Sequence, residues 1–276
     1  MSQENFQITS RRRLLKFLAA SPLFARSALA EGLRQADPAD WAPRDLEKLI
    51  ADPTQALDVF DFEPVMKKNV PPAHFGYMAT GVDDEMTLRA NREGFRKFEL
   101  RPRRLVDVSK IDMSAEILGA KYDSPIVIAP TGSNRAFHPD AEVAVAKAAK
   151  LGNHLQILST VATTSIEDAI PARGAPLWFQ LYTTQRWEIA EGLVKRAEAA
   201  GVKALALGAQ AVCIGRPYLW GLGAFGQPGV ERVLAILRAE TRTAMQQLGA
   251  PSLNSRRRWS GGSELGAFSS LRGAKR

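Results

Sequence analysis

The sequence predicts an α/β fold built on a parallel sheet, and three observations predict it. Short apolar, β-branched runs recur from residue 125 onward, each closed by Pro, Gly or a hydroxyl residue. A segment with helical apolar spacing follows each run. Strand–helix alternation of this kind is the signature of a parallel sheet flanked by helices.

The elements follow in order. Pro125–Gly132 (PIVIAPTG) is a buried strand, apolar without alternation because both faces are covered. A helix follows with Asp140 as its cap, Val143, Val145, Ala146 and Ala149 inward, and Gly152 as its stop. His154–Thr160 is the second strand, and Ser165 with Asp168 has the spacing of a capping box for a short helix through Ile170. Leu177–Tyr182 is the third strand. Gln185–Ala200 is an amphipathic helix carrying Ile189, Leu193, Val194 and Ala197 on one face, with Gly201 at its end. Val202–Leu207 fits either a fourth strand or the last turns of a helix. Its Ala and Leu content favours helix, so Lys203–Ala209 is expected to be helical or ambiguous and Ala211–Ile214 to be the last strand. Val230–Leu248 is a long helix, with Val230, Val233, Leu234 and Leu237 on one face.

Residues 31–120 form an N-terminal extension, helical and polar. Asp83 starts a helix through Leu88 and Phe95, and a hairpin closes the segment around Ile117–Tyr122. The barrel-like part runs from 121 to 253. Beyond it, residues 254–276 are Ser-, Gly- and Arg-rich without period, a basic disordered tail. Residues 1–30 contain Arg11-Arg12, then Leu14, Leu15 and Lys16, a modest apolar stretch and Ala28-Leu29-Ala30. That layout resembles a twin-arginine export signal and implies a periplasmic chain. An ordinary basic amphipathic helix is the alternative, with a cytoplasmic chain. The apolar stretch is interrupted by Lys16, Pro22 and Arg26, too short to span a bilayer that needs about 20 apolar residues.

Composition excludes several functions. A single cysteine, Cys213, and three histidines leave no disulfide framework and no Cys/His zinc cluster, so no metal is expected. The net charge is +8, but the first thirty residues carry +4 and the last twenty-three +5, leaving −1 for the body. A nucleic-acid-binding domain would carry a basic stripe on its folded part; none is expected here.

Each strand ends in groups suited to a ligand: Pro130-Thr131-Gly132, Ser159-Thr160 and Gln180-Leu181-Tyr182. Carboxyl ends of parallel strands are where α/β folds bind ligands. Thr131, Ser159 and Gln180 suit the polar edge of a flat ligand such as a flavin, with Gly132 leaving the ring room. Gly215 permits close backbone approach, and Arg216 offers a forked cation to a phosphate. Gly221–Gly226 matches GxGxxG, but Arg216–Trp220 intervenes after the strand and Pro228-Gly229 follows, so the dinucleotide reading fails. His154 opens a strand at the end away from the site and reads as structural. His138 sits on the loop after the first strand with a helix-entry role, and neither it nor His74 has the setting of a base.

At these residues a family resemblance emerges. HFGYMATGVDDEMTLRANREGFRKFELRPRRLVDVS, SPIVIAPTG, LSTVATTSIEDA, FQLYTT and GAQAVCIGRPYLWGLGAFGQPGVERVL occur in order from about Asp45 to Leu253. Together they resemble the FMN-dependent 2-hydroxy acid dehydrogenases and oxidases. The resemblance implies a (β/α)8 barrel with FMN at its carboxyl face and oxidation of a small 2-hydroxy acid to a 2-oxo acid. Pro130, Thr131, Gly132, Ser159 and Gln180 then resemble flavin-binding residues, and Gly215 with Arg216 half of the FMN phosphate site. Tyr77 resembles a tyrosine holding the substrate carboxylate, and Tyr182 the substrate-facing tyrosine, the catalytic residue this sequence retains. In the family a histidine takes the hydroxyl proton and an arginine holds the carboxylate. The Ser-Asn-His-Gly-Gly-Arg and Asp-Gly-Gly-x-Arg-Arg-Gly segments that supply them and the rest of the phosphate site are absent here.

The barrel-like part holds four or five strands, against about 250 residues for a complete eight-stranded barrel. The expected fold is therefore an incomplete barrel lacking about three strand–helix units, with a junction near 203–209. Two functional readings stand: a 2-hydroxy acid oxidoreductase, or a non-catalytic remnant that binds flavin weakly or not at all. Open strand edges leave room for self-association.

Overall fold

The computed structural model describes residues 49–97, 100, 102–183, 185–206 and 213–253. The export-signal and tail readings lie outside the described residues, as do residues 207–209 of the junction. The chain divides into two units, one comprising Ile50–Phe75 and Leu100 onward, the other Gly76–Glu99 with residues up to Leu49.

In the larger unit two helices precede the sheet region, α1 (Phe62–Asn69) and α2 (Pro72–Ala79), the latter continuing into the smaller unit. Pro72 starts α2 at a position where its missing N–H has no partner to lose. The hairpin β1 (Ala115–Ile117) and β2 (Ala120–Tyr122) pairs Ile117 with Ala120 across Leu118-Gly119. Both turn residues have positive φ, +49° and +72°, which only glycine adopts without cost.

Five parallel strands follow: β3 (Val127–Ile128), β4 (Leu155–Ser159), β5 (Trp178–Gln180), β6 (Ala204–Ala206) and β7 (Cys213–Ile214). Their order in the sheet is β6-β5-β4-β3-β7. The expected strand number is met, and the first four are sequential neighbours. Helices α4 (Ala141–Leu151), α5 (Ile166–Arg173) and α6 (Trp187–Ala199) make the crossovers. Beyond β7 come α7 (Arg216–Phe225) and α8 (Gln227–Gln247).

The side chains of β4 and β5 divide between two clusters. Leu158, Leu177 and Phe179 pack with Ile166, Ala169 and Ala197 of α5 and α6. Val127, Leu155 and Ile157 turn the other way, against Tyr122, Ile117 and Ala120 of the hairpin, with Trp178 and Cys213 beside them. Each leucine, isoleucine, valine or phenylalanine taken from water there stabilises the fold by about 1.5–3 kcal/mol. A third layer joins α1 to α7, where Phe62 meets Phe225 edge to face at 6.1 Å.

The structure corrects several expectations. Of the two readings of Val202–Leu207 the strand holds and the favoured helix does not: Ala204–Ala206 is hydrogen-bonded beside β5, because pairing with a sheet edge outweighs a helix propensity of a few tenths of a kcal/mol per residue. Asp140 makes no side-chain cap to α4, and its own N–H donates to His138 Nδ1 instead. Gly152 does end α4, but at φ −100°. Its need for glycine is steric, since a Cβ there would stand 2.3 Å from His154 Nε2. On α6, Ile189 is 41% exposed and Ala190 is buried in its stead. In the smaller unit the helix α3 (Met86–Glu93) starts three residues after Asp83, which has φ +49°. Gly221 and Gly223, rejected as a nucleotide motif, lie inside α7, where Gly221 packs on the Gly229 backbone and Gly223 on Met66.

Candidate functional site

The register of the sheet brings two of the predicted cofactor residues onto one row: Ser159 pairs with Gln180, and Gln180 with Ala206. Residues an even number apart on a strand share a face, so Ser159 and Gln180 extend the face that carries Leu155, Ile157 and Trp178. Strand β3 pairs with β4 only through Ile128, and Thr131 lies beyond it on a turn.

The polar groups at these strand ends are only partly used. Ser159 Oγ donates to Gln180 Oε1 at 3.1 Å and accepts from the Val161 amide at 3.2 Å. Thr131 Oγ1 is buried without a hydrogen-bond partner. The Thr131 amide donates to Ala129 O at 2.9 Å, closing a tight turn around Pro130. Gly132 backs onto Val161, whose Cγ2 would stand 2.4 Å from a Cβ there. The space expected to serve a flavin ring at Gly132 is thus filled by the chain's own valine.

Tyr182 follows β5, 57% exposed, its amide donating to Thr160 Oγ1 at 3.0 Å. Thr160 Oγ1 in turn donates to Gln180 O at 2.6 Å, so the two strand ends are stitched together by one hydroxyl. Tyr77 belongs to the smaller unit and is 82% exposed. Gly215 precedes α7 and Arg216 is its first residue. A Cβ at Gly215 would meet nothing within 4 Å, which leaves open space before a helix N-terminus. Such a terminus, with its unpaired amides, suits an anion.

The three histidines are occupied elsewhere. His154 is buried at the amino end of β4, with Nδ1 2.9 Å from Ser124 Oγ. Burial, then the charges of Arg238 and Arg173, push its pKa down to about 4. His138 Nδ1 accepts from the Asp140 amide, the helix-entry role expected of it, and its ring packs on Gly226. His74 Nδ1 lies 2.9 Å from Ala136 O.

Sequence reasoning missed the buried polar groups that brace this edge from behind. Glu142 on α4 accepts from the Thr163 amide and hydroxyl, both at 2.9 Å, and from Thr164 Oγ1 at 2.7 Å. Tyr218 on α7 and Asn134 are each 1% exposed beneath the Thr131 turn. Burial raises the Tyr218 phenol well above its ordinary value, keeping it a neutral donor. A carboxylate among the inward alanines and valines of AEVAVAKAA was the available signal for Glu142.

Comparison with known proteins follows the same residues. A family model described as FMN-dependent dehydrogenase matches residues 66–205 and 202–259. The two matched segments share Val202–Leu205. Glycolate oxidase 1 of Oryza sativa subsp. indica is 42% identical over 162 residues, 59% of this chain and 44% of that protein. Glycolate oxidase 1 of Zea mays is 41% identical over the same shares. The chain therefore spans less than half the length of these curated relatives. Among solved structures, an oxidised active mutant of (S)-mandelate dehydrogenase superposes with a TM-score of 0.69 at 23% identity, covering 73% of this chain and 98% of that one. A mutant flavocytochrome b2 with pyruvate bound gives 0.69 at 22% identity, covering 75% and 86%. The likeness in fold is to the barrel flavoenzymes, and the sheet described here is part of such a barrel.

Proposed function

Because this chain belongs to the FMN-dependent dehydrogenase family, whose cofactor is FMN, we propose that it binds FMN at the carboxyl edge of its sheet and oxidises a small 2-hydroxy acid to the 2-oxo acid. The observation that carries the reading is the pairing of Ser159 with Gln180 at the carboxyl ends of β4 and β5, with an unpartnered buried hydroxyl at Thr131 on the turn after β3. These residues fit the group. Thr131 Oγ1 and the Gln180 amide hydrogens are donors for the polar edge of a flavin ring, and Gly215 with Arg216 and the α7 amides would hold the phosphate. Pro130 and Gly132 set the turn that aims Thr131.

The chemistry FMN supplies when bound is acceptance of the substrate's α-hydrogen with its electron pair. Tyr182, exposed after β5, would orient the substrate by donating its hydroxyl to the carboxylate. The proton of the substrate hydroxyl needs an acceptor, and loss of a positioned one costs about 10²–10⁴-fold in rate. A second reading, a non-catalytic remnant that binds flavin weakly or not at all, is favoured by one observation: all three histidines are engaged in packing and loop contacts.

One experiment separates the readings. The chain is reconstituted with FMN, made anaerobic, and mixed with glycolate or L-lactate while the flavin band is recorded. Bleaching establishes the oxidoreductase. A bound but unbleached flavin, or a chain that takes up no flavin, refutes the oxidoreductase and leaves the second reading. We propose further that residues 1–30 direct twin-arginine export to the periplasm, supported by the paired arginines and the Ala28-Leu29-Ala30 site. Recovery of full-length chain in the cytoplasm of an export-competent bacterium would refute it.

A further inference from the structure

The turn that carries Pro130, Thr131 and Gly132 hangs on one peptide unit, that of Ala129. Its N–H donates to Ile214 O on β7 at 2.9 Å. Its carbonyl accepts the Thr131 amide at 2.9 Å and the Tyr218 hydroxyl at 3.3 Å. Tyr218 stands two residues beyond Arg216 on the same helix, so one rigid element reaches both the phosphate end and the ring end of the proposed flavin site. The tyrosine is fully buried, and so is Asn134, which supplies a second polar contact to the hydroxyl while its own Oδ1 stays without a partner. A phenol and an amide this deeply buried are costly unless they are hydrogen-bonded. Phenylalanine would fill the same space without that requirement.

We propose that Tyr218 is a positioning residue for the flavin turn: its hydroxyl fixes the Ala129 carbonyl and so holds the turn that carries Thr131 Oγ1. This rests on the FMN reading above. Tyr218 touches neither cofactor nor substrate. It acts through the Ala129 peptide, and it couples the Thr131 turn to the helix whose first residue is Arg216. Seating phosphate against α7 therefore also registers the turn that meets the ring.

The test is Tyr218→Phe, which keeps the ring packing and removes the hydroxyl. Two readouts are taken: the FMN dissociation constant by flavin fluorescence, and amide hydrogen exchange of residues 129–133 in the flavin-free chain, with 155–159 as internal reference. Loss of one buried hydrogen bond predicts FMN binding weaker by roughly three- to tenfold and faster exchange in 129–133 alone. Unchanged FMN affinity, or exchange that rises equally in both segments, overturns the proposal and leaves Tyr218 a packing residue. Should the phenylalanine variant not fold, Asn134→Ala carries the same readouts, and wild-type FMN affinity with unchanged exchange in that variant overturns the proposal equally. If the wild-type chain itself takes up no FMN, the flavin reading falls, an outcome distinct from a wild-type chain that binds FMN and a variant that binds it as well.

Discussion

His154 makes the stability of this chain sensitive to mild acid. Its imidazole is 2% exposed, wedged against Gly152, paired with Ser124 Oγ, and covered by the Arg173 side chain, whose Nη2 donates to His154 O at 2.8 Å. Its pKa falls from 6.5 to about 4, first through burial and then through the charges of Arg238 and Arg173; Asp123 and the Ile126 carbonyl oppose the shift. The folded chain therefore keeps His154 neutral where the unfolded chain has taken up a proton. Stability from this site is whole above pH 6.5, drains as pH falls from 6.5 to 4, and levels off below. At 1.36 kcal/mol per pH unit the loss is about 2 kcal/mol at pH 5 and about 3 kcal/mol at pH 4. For a chain of this size 2 kcal/mol lowers the melting temperature by about 4–8 °C. The assay is urea unfolding followed by tryptophan fluorescence at pH 7.5 and 5.0, for wild type and His154→Gln. The variant cannot titrate there, so the difference between the two pH slopes isolates His154 from every other group. Equal slopes would refute the reasoning, whatever the absolute stabilities.

Four other perturbations test separate parts of the structure. Gly221→Ala puts a Cβ 2.6 Å from Gly229 O, a backbone atom that cannot rotate away, and should destabilise by about 1–3 kcal/mol in urea unfolding. Gly192→Ala, on the exposed side of α6 with nothing within 4 Å, should instead stabilise by about 0.5–1 kcal/mol. Glu142→Gln keeps the volume but replaces one acceptor oxygen with a donor facing the Thr163 and Thr164 hydroxyls, with an expected loss of about 1–3 kcal/mol. Arg216→Ala should weaken FMN binding by roughly ten- to a hundredfold with the melting temperature of the flavin-free chain little changed. Equal affinity would remove Arg216 from the phosphate site.

Periodicity was a good guide wherever one element faced one neighbour. The apolar runs at 125–132, 154–160 and 177–182 each contain a strand, because a parallel strand covered on both faces must be apolar throughout. The hairpin was legible because Leu118-Gly119 leaves the chain few other ways to turn. What escaped was set by partners distant in sequence. No local rule places the Glu142 carboxylate under Thr163 and Thr164, or the Tyr218 hydroxyl under Ala129, since those bonds join residues 21, 22 and 89 positions apart. The same holds for Gly132 and Gly152, which are glycine because Val161 and His154 fill the space a side chain would need.

The stretch from β6 to β7 shows why local propensity failed. Only six residues separate Ala206 from Cys213, too few for the crossover of a dozen or more residues that adjacent parallel strands require. The sheet resolves the conflict, because the two strands are not neighbours: they are its opposite edges, with β7 paired to β3. In a closed eight-stranded barrel the last strand pairs with the first in this way. The order is therefore that of strands one to four and eight, with β6 in the fourth place and β7 in the last. Seven Cα steps reach at most about 25 Å; five strands spaced about 4.8 Å apart put the edges about 19 Å apart, and the register sets Ala206 about 13 Å further along the strands than Cys213, about 23 Å in all, so the chain can join them. The two family-model matches share Val202–Leu205, as they would if KALAL served both as the fourth strand and as the lead-in to the eighth. We propose that an internal deletion between two such similar stretches joined them. A parent coding sequence without a second KALAL-like stretch would refute that origin. The alanines of 204–206 are in a strand, whatever their helix propensity, because β5 offers an edge to pair with.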